Sequence, residues 1–90
     1  MEEKYVFNDE AFNLHFNCPL VELEQFIYKS EKWIINARKR PFRFPKDAIF
    51  YNEQYSTLKV LELILKLRKG FITSEQFDEK VKIKKVSISN

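Results

Sequence analysis

Seven basic side chains fall between residues 28 and 46: Lys29, Lys32, Arg38, Lys39, Arg40, Arg43 and Lys46, against the single acid Glu31. Four of them lie within the six residues from Arg38 to Arg43, with Trp33, Phe42 and Phe44 near in sequence. Cations at this density can neutralise phosphates, and neighbouring rings can stack on bases or anchor a small core. The flanks differ: residues 1–27 hold six acids and one base, residues 47–90 eight bases and six acids. The formal charge of +3 therefore understates a local basic cluster, and it is the cluster that governs polyanion binding.

Other chemistry is sparse. His15 is the only histidine and has no second ligand near it in sequence, so it is expected to be a partly buried or capping side chain. Cys18 is the only cysteine, which excludes an intramolecular disulfide and fits a small apolar turn residue. Glu22 and Glu24 are two apart and do not share a helical face as a metal pair would. With one glycine there is no phosphate-binding loop. No catalytic constellation, metal site or cofactor is expected, and the chain does not read as an enzyme.

Ninety residues suffice for one domain with an appended helical piece. Tyr5-Val6-Phe7 is β-prone, and Asn8 or Asp9 can cap a helix over Glu10 to Phe16. Asn17-Cys18-Pro19 breaks that helix, and Leu20, Leu23, Phe26 and Ile27 recur at helical spacing after it, fading near Lys29 to Lys32. Trp33-Ile34-Ile35 and Phe42-Arg43-Phe44 predict two short strands joined by a basic turn. Pro45 opens the next helix, where its missing N–H is harmless. The apolar positions from Tyr55 to Leu67 occupy more than one face, so that helix is either central or shared with a partner. On its remaining face Glu62 and Lys66 are placed as an i,i+4 pair. Gly70 ends this helix, and Thr73 to Gln76 offers a capping box to a last one containing Phe77 and Val81. Val81, Ile83, Val86 and Ile88 fit a frayed helix end or a short strand.

This order predicts a mostly α chain with a small β-hairpin: a winged helix-turn-helix over residues 1–52 and a helical extension over 53–90. With the turn at Asn17, the packing positions are Phe12, Phe16, Leu20 or Leu23, and Phe26. The second helix then faces a DNA groove, and the hairpin is the wing with Arg38, Lys39 and Arg40 at its tip. Trp33, Phe42 and Phe44 are expected to anchor the wing to the core, with base stacking by Trp33 as the alternative.

The segments Asp9-Glu10-Ala11, Asn17-Cys18-Pro19, Leu20 to Lys29, and Arg43-Phe44-Pro45-Lys46-Asp47-Ala48-Ile49 together resemble the excisionase and MerR-like winged-helix family. The resemblance covers about half the chain and implies sequence-specific DNA binding in transcription, recombination, or phage or plasmid processing. A second stretch, Leu63 to Lys80, is similar to the short helical hairpins called SHOCT domains and implies an appended oligomerisation hairpin.

The expected partner is double-stranded DNA, in a cytoplasmic protein with no membrane or small-molecule ligand. Lys29, Lys32, Arg38, Lys39, Arg40, Arg43 and Lys46 are expected on phosphates, with Gln25 and Tyr28 at base edges. A homodimer through the Tyr55–Leu67 helix would double the contact. The competing expectation is a protein-interaction module, and the direction of Glu22 and Glu24 discriminates: acids on the basic face would repel phosphate.

Overall fold

A computed structural model describes residues 4–40 and 44–85. The chain is mostly helical, in the order β1 (Tyr5–Asn8), α1 (Asp9–Asn17), α2 (Leu20–Arg38), α3 (Pro45–Lys69), α4 (Ser74–Lys80) and β2 (Val81–Lys84). Among the described residues no helix is long and apolar enough to cross a membrane.

Local chemistry sets most of the boundaries. Asn8 Oδ1 accepts the Ala11 N–H at 2.6 Å and starts α1. Pro45 occupies the first turn of α3, and the Asp47 carboxylate accepts the Phe44 N–H at 3.3 Å. Gly70 stops α3 at φ +81, a conformation a Cβ disfavours. Thr73 and Gln76 exchange side-chain bonds with each other's backbone N–H at 3.1 and 2.8 Å, and α4 follows.

The central element is α3. It packs on α2, α1, α4 and β1, which is why its apolar positions cover more than one face. Leu58, Val60, Leu61 and Ile64 are buried there with Leu23, Ile27 and Ile34 of α2, Phe7 of β1, Phe77 of α4 and Val81 of β2. α3 runs unbroken through residues 52 and 53, and the core draws on both sides of that point. α2 lies antiparallel to α3, with Glu24 opposite Lys69 and Arg38 opposite Tyr51. On α3, Glu62 is bridged by Lys59, one turn before it, at 3.5 Å rather than by the expected Lys66 one turn after it.

The expected hairpin is corrected at its first strand: Trp33, Ile34 and Ile35 belong to α2. Their β propensity is local, and a helix charges such residues at most about 0.7 kcal/mol each. Burying one large aliphatic contributes about 1.5–3 kcal/mol. Leu23, Ile27, Ser30, Ile34 and Ala37 form one stripe with alternating spacings of four and three, and only a continued helix seats Ile34 on it. No proline or glycine interrupts the chain between Pro19 and Pro41. Of the second expected strand, Phe42 and Arg43 lie outside the described residues, and Phe44 is exposed rather than core.

The sheet that does form joins the two ends of the described chain. β1 and β2 pair in parallel, with Tyr5 opposite Val81 and Phe7 opposite Ile83. Parallel pairing needs a long crossover, and here the four helices supply it. α1 leans on α3 and both strands, and Phe12 meets Phe77 at 5.6 Å. The expected packing of α1 on α2 is corrected: α1 rests on α3 and the strands and meets α2 through the His15 and Phe26 rings, while Leu23 of the expected set is fully buried in the core around α3. Phe16, Leu20 and Phe26 stay partly exposed, with Phe16 stacked on Phe12 at 5.3 Å.

Candidate nucleic-acid interface

Opposite its buried stripe, α2 presents a second row. Gln25, Lys29, Lys32, Asn36 and then Lys39 and Arg40 follow one another at spacings of three or four, and all are exposed. Lys39 is the C-cap in a right-handed helical conformation, so it extends the row, and Arg40 continues into the turn with its N–H on the Ala37 carbonyl at 3.2 Å. Tyr28 borders this row, and the Lys32 ammonium lies 5.0 Å from its ring centre. The structure thus brings together Gln25, Tyr28, Lys29, Lys32, Lys39 and Arg40 from the residues expected to touch DNA.

The others stand apart. Arg38 projects to the α3 side, where its Nε donates to Tyr51 Oη at 2.7 Å and its guanidinium lies 5.9 Å from the Tyr55 ring. The Tyr51 hydroxyl is the main cause holding the Arg38 pKa above its ordinary value. Lys46 occupies the first turn of α3, its ammonium 5.9 Å from the Phe44 ring. Arg43 lies outside the described residues.

The acids divide: Glu24 and Glu31 leave the row, and Glu22 does not. Glu24 turns to the flank and meets Lys69 of α3 at 3.4 Å. Glu31 lies on that flank with Glu24, one turn from Tyr28. Glu22 shares the basic row but stands seven residues before Lys29, roughly 10 Å of helix. That is about one screening length at 0.1 M salt. From Gln25 to Arg40 the row itself holds no carboxylate.

Where the row ends, α2 and α3 enclose an open cleft of about 420 Å³, lined by Trp33, Asn36, Arg40, Asp47, Phe50 and Tyr51 among others. The Trp33 and Phe50 rings meet edge to face at 5.4 Å, and Tyr51 stacks on Trp33 at 6.4 Å. Reading Trp33 as a strand residue hid this cleft; the signal available in sequence was the helical spacing of Trp33, Asn36 and Arg40. A larger hollow of about 950 Å³ lies between β1, α3 and the end of α4. Its charges are mixed, Lys4 and Lys80 against Glu53 and Glu79, which favours no polyanion.

Among the described residues no group of three or more His, Cys, Asp or Glu could hold a metal ion. Comparison with known protein families, curated proteins and solved structures finds no match.

Proposed function

We propose that this protein is a DNA-binding accessory protein that lays the outer face of α2 against double-stranded DNA. The observation that carries this reading is the exposed row from Gln25 to Arg40: it is basic, uninterrupted by acids and opposite the stripe that fixes α2 to the core. Lys29, Lys32, Lys39 and Arg40 take phosphates, while Gln25 and Tyr28 are placed to reach base edges. In this reading α1, the Asn17–Pro19 turn and α2 follow the order of a helix-turn-helix with α1 packed on α3 instead of α2, and the basic end of α2 takes the place of the wing in the resemblance to excisionase-like proteins.

The test is a fluorescence-anisotropy titration with mixed-sequence duplex at two salt concentrations. Four phosphate contacts give a log–log salt slope of roughly −3 to −4, and replacing Lys29, Lys32, Lys39 and Arg40 by Ala flattens it by about one unit per lost contact. Absence of binding at low salt would remove the proposal. The second reading, a protein-interaction module, then takes over; it draws on the exposed Leu14, Val21 and Phe26 around the α1–α2 turn.

A further inference from the structure

We infer that the cleft at the end of α2 takes an unpaired nucleobase, so that the preferred ligand is a nucleic acid carrying an extrahelical or single-stranded nucleotide. This inference rests on the proposed nucleic-acid reading of the α2 face and names the substrate class it serves.

Three observations meet at the cleft. Its walls are aromatic yet open: Trp33 is 40% and Phe50 51% exposed, although the two rings touch. The rings stand edge to face, so they make a corner rather than one flat platform, and each keeps part of its surface open for a base to stack on whatever its sequence. The volume, about 420 Å³, falls toward the small end of ligand pockets, which run from roughly 300 to 1,000 Å³.

Arg40 at the mouth of the cleft suits the adjoining phosphate, but Asn36 and Asp47 of the rim match a base better. Asn36 carries an amide that both donates and accepts, and Asp47 carries a carboxylate that accepts only. A phosphate placed beside Asp47 would be repelled, whereas the exocyclic amine of a base would be bound. Tyr51 is held in place by Arg38, whose Nε donates to its hydroxyl at 2.7 Å, so that wall is preset before ligand arrives.

The cleft is also continuous with the basic row, because Asn36 and Arg40 belong to both. A strand whose phosphates run along Lys29, Lys32 and Lys39 therefore delivers a nucleotide to the rings only if that base has left its stack. A fully paired duplex keeps its bases out of reach, and extruding one costs a few kcal/mol, least where the base is already unpaired.

Trp33 is the only tryptophan, so its fluorescence reports the cleft directly. Three DNA ligands of equal length are titrated: a perfect duplex, the same duplex with one bulged nucleotide, and the single strand. A ribonucleotide single strand is added to separate an RNA source of the unpaired base from a DNA one. The expected result is Trp33 quenching by the bulged duplex and by at least one single strand, with affinity about fivefold or more above the perfect duplex. Phe50→Ala keeps the reporter and, the ring being half exposed, should keep the fold, checked by circular dichroism. It should lose the preference and retain the salt slope. Asn36→Ala, on the open face of α2, should weaken the preference in the same direction.

Equal, salt-dependent binding of all ligands without quenching would overturn the base cleft and leave the α2 reading standing. Failure of every ligand to bind at low salt would overturn both.

Discussion

His15 sits between the Phe7 ring at 6.4 Å and the Phe26 ring, which it meets edge to face at 5.2 Å. Its Nδ1 is buried without a hydrogen-bond partner among the described residues, and its backbone carbonyl accepts from Arg68 Nη1 at 3.1 Å. Burial disfavours the imidazolium and lowers the pKa below the ordinary 6.5. The unfolded chain therefore binds the proton more readily than the folded one. Above pH 6.5 the residue adds no penalty; as pH falls below 6.5 toward the folded value, stability is lost. Urea midpoints for wild type and His15→Gln should thus diverge between about pH 7 and 5, the wild type falling faster; parallel curves would refute this. A partly buried histidine was legible in the sequence, but its aromatic cage was not, because Phe7 arrives from a strand and Phe26 from the next helix. Arg38 carries the reverse lesson. Its type suggested a phosphate contact, yet its Nε is engaged by Tyr51, thirteen residues away. Arg38→Ala should therefore reduce the salt slope of DNA binding less than Lys32→Ala does, and an equal loss would show that Arg38 reaches phosphate despite its partner.

At the scale of elements, the helices with chemical end signals were legible and the interior of α2 was not. Asn8, Pro45, Gly70 and the Thr73–Gln76 box each act within four residues, so the sequence around them determines the outcome. Trp33-Ile34-Ile35 looks like a strand to any short window, and only the stripe reaching back to Leu23 reveals helix. Neighbouring substitutions separate the two readings. Ile34 is buried at 3% exposure, so Ile34→Ala should cost about 2–5 kcal/mol. Ile35 is half exposed, and Ile35→Ala should stay within about 0.5 kcal/mol. Similar costs at both positions in chemical denaturation would count against the helix register. Gly70 offers a cleaner backbone test. A Cβ there would meet nothing within 4 Å, so the cost of Gly70→Ala is conformational only. The left-handed φ of +81 sets it at roughly 1–2 kcal/mol, and no change in midpoint would mean that α3 ends differently.

For the molecule as a whole, the closing element is the parallel pair of β1 and β2: each strand had a local β signal, but no local signal could announce that they pair. The two strands are each four residues long and lie at opposite ends of the described chain, so the pairing exists only once the helices have formed the crossover. A two-stranded sheet is marginal by itself, and this one is held by what its strands bury: Phe7 and Val81 both belong to the core that Leu23, Ile64 and Phe77 share. Loss of one strand should then remove protection from the other and loosen the α4 end of the core, where Phe77 is buried immediately before β2. Val81→Ala, which empties part of a site only 3% exposed, should cost about 1–3 kcal/mol. The sharper readout is native-state hydrogen exchange. Amides of residues 5–8 and 81–84 should lose protection together in the variant, although the substitution lies in only one of the strands. Loss confined to 81–84, with β1 still protected, would mean that β1 is held by α1 and α3 alone and that the chain ends are not mutually dependent.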